Sequence, residues 1–368
     1  MKNPGSRSVL EIDLNLLRDN YQKIAKAVSP LNVIPVLKAN AYGLGVRPIA
    51  KALVESGASV FALAELNEAL EITDLGIPLQ ILGGILEDDI PDIIKHGIIA
   101  PVSDMEGAKM LSDEAAKQKC TANCHVSVDT GMGRLGVLQN DAEAFIRELV
   151  KLPALNISGI YSHFPYAYED YDFSCHQVTA LIQIIDKLKL DGIEFETIHM
   201  ANSDGIHNIG PSIQAPFNMV RTGINLYGCF DLDGHKTIEL TEILTLKSKL
   251  VAVRELPWGS SIGYGRSYKL PKTMNVGTVA IGYADGLPLS MSNSGRMRIN
   301  GIDCPIIGRV SMDYTTISLE NVPDAKVGDE VICLGDGITV AEWAKSKGTI
   351  TYEIICSIGN RVQRNYIN

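Results

Sequence analysis

The chain has 368 residues, of which 46% are hydrophobic and 21% are charged, and its formal net charge at pH 7 is −10. Because this length exceeds that of most single hydrophobic cores, we expect a globular enzyme of two domains. The acidic balance and the lack of a basic run argue against nucleic acid or an anionic membrane as the main partner.

The chain begins with the polar segment MKNPGSRS, which does not have the apolar core of a signal peptide. No apolar stretch approaches the roughly 20 residues that span a bilayer. The seven cysteines show no paired spacing, as is typical of a reducing compartment, so we predict a cytoplasmic protein without membrane contact. Cys120, Cys124 and His125 lie close together, but no second ligand pair accompanies them, and we predict no metal site.

From Asn32 to about Tyr227, a short β-rich run, a turn and an amphipathic helix alternate. Helical periodicity is seen, for example, at Val46–Ser56, Glu65–Leu75 and Tyr171–Leu190. Eight alternating units predict a (β/α)8 TIM barrel; a doubly wound open sheet is the alternative, because a count of strands does not show closure. The predicted strands are Asn32–Ala39, Ser59–Ala64, Leu79–Gly84, Ile98–Ser103, Ala122–Thr130, Leu155–Phe164, Phe195–Asn202 and Phe217–Arg221.

After about Leu240, short strand-like runs separated by Gly, Asn, Asp and Pro predict an all-β domain, with one helix at Ala341–Lys347. We therefore place the barrel at residues 9–235 and the C-terminal β-domain at residues 240–368. The leading strand, VLEIDL at residues 9–14, precedes the eight units and is open to placement in the β-domain. The predicted strands of this domain are Val276–Tyr283, Met297–Ile299, Cys304–Val310, Tyr314–Ser318 and Glu330–Leu334.

Polar side chains follow the predicted barrel strands, where the catalytic groups of such barrels gather. Lys38 ends the first strand, after a run of apolar residues. A buried lysine loses its proton easily and can condense with an aldehyde, although a lysine at a strand end can also extend into solvent. The other polar residues at strand ends are Arg134, His163, His199, Asn202, Ser203 and Arg221.

The segment RTGINLYG predicts a phosphate site, because the backbone N–H groups of Gly223 and Ile224 follow a strand end. The hydroxyl groups of Ser203 and Tyr42 add further donors. A second glycine pattern, in DTGMGRLGV, has the spacing of a dinucleotide fingerprint, but Arg134 interrupts it. We interpret those glycines as tight turns that let Arg134 reach a carboxylate.

These motifs identify a resemblance to the fold-type III, pyridoxal phosphate-dependent alanine racemases. KANAYGLG, DTGMGRLGV, SHF, ANS, FNMVRTGINLYG, GYG, IGYADG, PIIGRVSMD and TYEIICSIGNRV occur in the order found in that family. The resemblance implies a barrel followed by a β-domain, pyridoxal 5'-phosphate as cofactor and a homodimer with shared active sites. It also implies interconversion of L- and D-alanine by two bases, supplying D-alanine for peptidoglycan.

The resemblance also implies a role for each matching residue. Lys38 corresponds to the Schiff-base lysine and one catalytic base, and Tyr264 to the second base, contributed by the partner subunit. The implied cofactor-binding residues are Lys38, Tyr42, His163, His199, Asn202, Ser203, Arg221, Gly223 and Ile224. The implied substrate-binding residues are Arg134, Met312, Tyr283 and Asn360.

Two positions depart from the family pattern. Ser127 stands where many members have a carbamylated lysine that braces the carboxylate-binding arginine. Asn360 stands where alanine-selective members have a tyrosine, and in this respect the chain resembles racemases that accept serine. A serine or serine/alanine racemase is therefore the alternative to an alanine racemase. A pyridoxal phosphate-dependent decarboxylase and a non-catalytic carrier of the cofactor are more distant alternatives; an arginine at 221 argues against the decarboxylase.

Overall fold

The computed structural model describes residues 6–231 and 234–368, and the chain divides into two compact units. The barrel unit contains residues 18–226 and 234–240, and the strand-rich unit contains residues 6–17, 227–231 and 241–368. Residues 1–5 of the leading segment, and residues 232 and 233 within the predicted barrel bounds, lie outside the described residues.

The first part of the chain alternates strands and helices. In chain order the elements are β1 (Val9–Asp13), α1 (Leu14–Val28), β2 (Asn32–Pro35), α2 (Lys38–Tyr42), α3 (Val46–Glu55), β3 (Phe61–Leu63), α4 (Leu66–Leu70), β4 (Leu79–Ile81), α5 (Ile90–Lys95), β5 (Ala100–Val102), α6 (Met105–Lys117), β6 (Ala122–Asp129), β7 (Val137–Leu138), α7 (Ala142–Leu149), β8 (Leu155–Tyr161), α8 (Tyr171–Leu190), β9 (Thr197–His199), α9 (Ser203–Asn208) and β10 (Met219–Thr222).

Eight parallel strands close into a barrel. One ladder runs β2-β10-β9-β8-β6-β5, and β3 pairs separately with β4. Parallel bridges join these two sheets, from Val36 to Ala62 on one side and from Gln80 to Ile99 on the other. The strands therefore form a complete ring, which confirms the predicted barrel and excludes the open sheet.

The helices form because their apolar residues fall on one face. In α8 the buried residues Val178, Leu181, Ile185 and Leu188 recur every three or four positions. Asp170 caps the helix by accepting a hydrogen bond from the N–H of Phe173 at 3.0 Å. Burial of each large aliphatic side chain contributes about 1.5–3 kcal/mol, so packing stabilises α8 more than its cap does.

The strand-rich unit is built around β11, the longest strand described. β11 is antiparallel to β1, β14 and β18, and β1 is also parallel to β19. The leading strand thus lies in the sheet of this unit. The elements are β11 (Leu244–Leu256), β12 (Ser261–Ile262), β13 (Tyr268–Lys269), β14 (Met274–Val279), β15 (Arg296–Ile299), β16 (Ile302–Pro305), β17 (Thr315–Ser318), β18 (Glu330–Leu334), α10 (Val340–Lys347), α11 (Thr351–Cys356) and β19 (Gln363–Ile367). Within the described ranges, every helix is too short or too polar to cross a membrane.

Candidate active site

Arg221 is the centre of a buried polar cluster at the carboxyl ends of the barrel strands. It lies in β10 and is 2% exposed. Its guanidinium donates to Nδ1 of His199 and, at 3.0 Å, to Nδ1 of His163. It also donates to the backbone carbonyls of Ser162 at 2.7 Å and Met200 at 3.1 Å. These bonds fix the plane of the guanidinium.

The hydrogen bonds determine the charges in this cluster. A guanidinium has no acceptor, so Nδ1 of each histidine must accept, and both rings are neutral with the proton on Nε2. Burial, followed by the positive charge of Arg221, holds the pKa of His163 and that of His199 well below the usual 6.5. Burial lowers the pKa of Arg221 to about 10, which leaves it charged at neutral pH. The cluster therefore holds one fixed cation between two neutral imidazoles.

The cluster extends further into the barrel through His199. Its Nε2 lies 3.5 Å from Nδ1 of His125, and its ring stacks on Tyr161 with centroids 4.9 Å apart. The guanidinium carbon of Arg221 lies 5.5 Å from the centroid of the same tyrosine ring. Ser127 interacts with the phenol of Tyr161 and opposes the rise that burial causes in its pKa. Ser127 therefore belongs to the network around Arg221.

A second group of residues forms a cradle suited to phosphate. The N–H of Gly223 donates to Oγ of Ser203 at 3.2 Å, and this oxygen lies 3.3 Å from Oγ1 of Thr222. A Cβ at position 223 would lie 2.1 Å from the hydroxyl of Tyr42, so a larger residue would have to displace the ring of that tyrosine. Ile224 follows and begins a short 3-10 turn. Hydroxyl groups and backbone N–H groups thus converge on one small region, which fits the phosphate of the implied cofactor.

Asn202 has a structural part in this cradle. Its side-chain oxygen accepts a hydrogen bond from the N–H of Gly205 at 2.8 Å and so caps α9, the helix that begins with Ser203. This cap determines where the hydroxyl of Ser203 lies.

Lys38 lies beyond the end of its strand. The strand ends at Pro35, earlier than predicted, and Lys38 opens the following turn. In the single chain its side chain is exposed, which is one of the two possibilities for a lysine at a strand end. The reason is that the backbone leaves the barrel wall after Val36 and enters the left-handed conformation, with φ between 52° and 60° from Ala39 to Tyr42.

Arg134 lies on an exposed loop that is folded around a carboxylate. Asp129, at the end of β6, accepts N–H groups from Gly131 at 2.8 Å, from Met132 at 2.8 Å and from Gly133 at 2.9 Å. Arg134 follows directly, and its positive charge helps to lower the pKa of His163. Asp129 was not predicted as a site residue, although an aspartate directly before a glycine-rich turn is a recognisable signal for such a loop.

The remaining predicted residues lie in the strand-rich unit, and all of them are accessible in the single chain. Tyr264 is 73% exposed, Met312 is 52% exposed and Tyr283 is 46% exposed. Asn360 is also exposed. Large apolar or aromatic side chains that are exposed together are typical of an interaction surface.

Arg361 joins the segments that carry three of these residues. It donates to both carboxylate oxygens of Asp285, at 2.6 and 3.0 Å, and to the carbonyl of Met312 at 3.2 Å. A fourth bond, at 2.8 Å, reaches the carboxylate of Asp313. Tyr283, Met312 and Asn360 are thereby held in one neighbourhood by a residue that was not predicted.

The cysteine–histidine group is packed rather than arranged for metal binding. Cys124 is buried, and burial raises the pKa of its thiol to about 12, whereas Cys120 is exposed. Across residues 6–231 and 234–368, no three His, Cys, Asp or Glu side chains are grouped to hold a metal ion.

Comparison with known proteins gives matches along nearly the whole chain. The family model "Alanine racemase, N-terminal domain" matches residues 12–231, and "Alanine racemase, C-terminal domain" matches residues 243–366. The chain is 37% identical to the alanine racemase of Syntrophobacter fumaroxidans over 372 residues, covering 99% of this chain and 98% of that protein.

Solved structures of the same kind superpose closely. The alanine racemase of Clostridium difficile 630 has a TM-score of 0.90 at 32% identity and covers 99% of this chain and 97% of its own. That of Bartonella henselae, described with covalently bound pyridoxal phosphate, has a TM-score of 0.87 at 28% identity and covers 99% of this chain and 100% of its own.

Proposed function

The chain belongs to the alanine racemase family, and from this premise we propose that it interconverts L- and D-alanine with pyridoxal phosphate as cofactor. The observation that carries the proposal is the buried cation of Arg221 between two neutral histidines. A carboxylate at this position would favour the decarboxylase alternative. A non-catalytic carrier would have no use for the exposed Tyr264 and Met312 of the strand-rich unit.

The barrel unit supplies the residues that would hold the cofactor. The hydroxyl groups of Tyr42 and Ser203 and the N–H groups of Gly223 and Ile224 would bind its phosphate, and Lys38 would bind it covalently. Asn202 would support this group by capping α9. When bound, pyridoxal phosphate acidifies the α-hydrogen of an amino acid by delocalising the charge left behind.

Arg221 and His163 would face the cofactor ring with a fixed charge and no mobile proton. The pKa of Arg221, about 10, keeps the guanidinium charged at pH 7, and His163 uses Nδ1 to accept from it. Neither group therefore protonates its neighbour at neutral pH. This restricts proton transfer to the two groups on either side of the substrate.

Those two groups are Lys38 and Tyr264 of the partner subunit. Inversion at a carbon needs one proton carrier on each face, so a single base would return the same enantiomer. Exposure of Tyr264, Tyr283 and Met312 in the single chain supports a homodimer in which a second copy covers them. Mixing Lys38→Ala with Tyr264→Phe tests this sharing, because one site in each heterodimer would regain both bases.

The substrate carboxylate would bind Arg134 and the backbone N–H of Met312, with Tyr283 at the entrance. Asp129 would shape the loop that presents Arg134, through the three N–H groups that it accepts. An arginine recognises a carboxylate through paired hydrogen bonds.

Serine is the alternative substrate, and Asn360 is the residue that favours it. An asparagine leaves room for a hydroxymethyl group and offers it both a donor and an acceptor. Discrimination by one small group is worth about 1–3 kcal/mol, so we expect activity on both amino acids. Asn360→Tyr should lower kcat/KM for serine more than for alanine. An unmoved ratio would remove Asn360 from the specificity site.

A cytoplasmic location and a supply of D-alanine for peptidoglycan complete the proposal. All seven cysteines are free thiols, which suits a reducing compartment. The decisive experiment is the racemisation of L-alanine and of L-serine by the purified protein, measured beside Lys38→Ala. Carbon dioxide release without racemisation would identify a decarboxylase, and bound cofactor without turnover would identify a carrier.

A further inference from the structure

We propose that Glu68 is a positioning residue that sets the orientation of Lys38 by holding the left-handed turn that Lys38 opens. The importance of Lys38 rests on the proposed function. The position of Glu68 rests on hydrogen bonds within the barrel unit alone.

The turn after Lys38 is unusual and costly. Ala39, Asn40, Ala41 and Tyr42 have φ values of 54°, 54°, 52° and 60°, the left-handed region that side chains with a Cβ rarely adopt. Each such residue costs about 1–2 kcal/mol relative to the right-handed conformation. A run of four persists only when surrounding contacts hold it.

Some of the holding contacts lie within the segment itself. The N–H of Ala41 donates to the carbonyl of Leu37 at 2.8 Å, and the N–H of Gly43 donates to the carbonyl of Ala39 at 2.7 Å. The side chain of Asn40 accepts from the N–H of Val46 at 2.7 Å. These bonds close the turn but do not fix its first peptide group, the one that joins Lys38 to Ala39.

Glu68 fixes that peptide group. One carboxylate oxygen accepts from the N–H of Ala39 at 2.5 Å, and the other accepts from the N–H of Ala64 at 2.9 Å. Ala64 directly follows β3, the strand next to β2 in the barrel. One carboxylate therefore ties the start of the turn to the end of the adjacent strand.

The helix that carries Glu68 is itself well anchored. Leu66 and Ala69 of α4 are buried, so the carboxylate projects from a fixed support. A backbone N–H that donates to a carboxylate forms a charge-assisted hydrogen bond, which is stronger than a bond between neutral groups. Rotation of the Lys38–Ala39 peptide would swing the Lys38 side chain away from its bound direction. Glu68 thus acts on Lys38 through the backbone and does not itself contact the reacting atoms.

The test compares Glu68→Gln with Glu65→Gln. The amide of glutamine keeps the shape of glutamate but offers one oxygen, so one of the two N–H groups meets an NH2 group instead of an acceptor. Glu65 directly precedes the same helix, is exposed, and does not cap the helix with its side chain. Glu65→Gln therefore removes the same negative charge and is the matched control. We expect Glu68→Gln to lower kcat about 10- to 100-fold with KM changed less than about threefold, and Glu65→Gln to match wild type.

A readout independent of racemisation separates this inference from the proposed function. Pyridoxal phosphate added to cofactor-free protein, followed by borohydride, labels Lys38, and mass spectrometry gives the labelling rate. We expect Glu68→Gln to slow labelling at least about tenfold while the circular dichroism spectrum stays that of wild type. If wild type labels Lys38 but does not racemise amino acids, the proposed function fails and the Glu68 comparison still stands.

Ala39→Gly provides the rescue. Glycine adopts the left-handed conformation without steric cost. We therefore expect the double variant Glu68→Gln/Ala39→Gly to be labelled about three- to tenfold faster than Glu68→Gln. Equal kcat and equal labelling in Glu68→Gln and Glu65→Gln would overturn the inference. It would also be overturned if the defect lay in KM alone, or if glycine at position 39 gave no recovery.

Discussion

Mild acid should destabilise the barrel unit, because its interior holds histidines that are neutral in the folded state. Burial lowers the pKa of His125 to about 4 and holds the pKa of His163 and that of His199 well below 6.5. In the unfolded chain all three rings titrate near 6.5. Below that pH the unfolded chain binds protons that the folded chain does not, so the free energy of unfolding falls as the pH is lowered.

The expected loss is large. Each histidine with a strongly depressed pKa contributes about 1.4 kcal/mol per pH unit once the unfolded ring is mostly protonated, so the three sites contribute roughly 4 kcal/mol per unit below pH 6. Between pH 6.5 and 5 this amounts to about 5 kcal/mol, because the unfolded rings are only half protonated at pH 6.5, and it is a substantial part of the 5–15 kcal/mol that stabilises an ordinary domain. Hydrogen-bonded salt bridges lower the pKa of Asp74 below 3.8 and that of Glu114 below 4.5, so the stability that these two carboxylates contribute is lost at lower pH.

The assay is urea unfolding followed by far-ultraviolet circular dichroism between pH 5 and 7. The ring of His125 packs against Gly159, where an added Cβ would approach it to 2.6 Å, and His125→Phe keeps a ring there without the titration. We expect this variant to lower the pH slope by about a third, to roughly 2.7 kcal/mol per unit, because His163 and His199 remain. A wild-type slope near zero, or the same slope in His125→Phe, would refute the assignment of neutral buried rings.

Three further substitutions test the site and its supports. Gly223→Ala places a Cβ 2.1 Å from a tyrosine hydroxyl in the phosphate cradle; it should weaken pyridoxal phosphate binding at least about tenfold in a fluorescence titration, and an unchanged Kd would dismiss the cradle. Asp129→Asn loosens the loop before Arg134, the predicted carboxylate-binding arginine, so the KM for alanine should rise about tenfold while cofactor binding is retained. Steady-state kinetics at varied alanine and varied pyridoxal phosphate concentrations measure these two quantities. Arg361→Met leaves the buried carboxylate of Asp285 without its paired donors and should lower the free energy of unfolding by about 2–3 kcal/mol in a denaturant titration, whereas no change would show that the pair is dispensable.

The fold was predictable where strands are long and strongly patterned. The prediction for Ala122–Thr130 differs by one residue from β6, which ends at Asp129. The limits of the short strand β3 are harder to predict, because its three buried residues show little periodicity. Pairing with the neighbouring strands determines where it begins and ends. β11 was not predicted at all: its lysines, arginine and glutamate hide a regular alternation that becomes evident once its partners are known.

The site was predictable in its residue types and less so in its geometry. Arg221 and the two histidines follow strand ends, and closure of the barrel brings strand ends together. The position of Lys38 in a turn beyond the strand could not be inferred, because the left-handed turn is hydrogen-bonded to a carboxylate from a different helix. Glu68 and Asp129 were missed for the same reason. Both bind backbone N–H groups, and such contacts leave no spacing pattern in the side chains.

The ribosome synthesises β1 long before β11 and β19, the two strands that pair with it. Val9 pairs with Lys247 in β11 and with Gln363 in β19, so β1 cannot complete its pairing until almost the whole chain has emerged from the ribosome. Its apolar residues Leu10 and Ile12, fully buried in the folded protein, meanwhile have no native partner. The entropic cost of closing so long a loop grows only slowly with its length. The late pairing of β1 therefore slows folding more than it lowers the stability of the folded protein. The strand-rich unit is therefore the last part of the nascent chain to be completed, and during that interval β1 is the segment most open to chaperones and to mispairing with another chain.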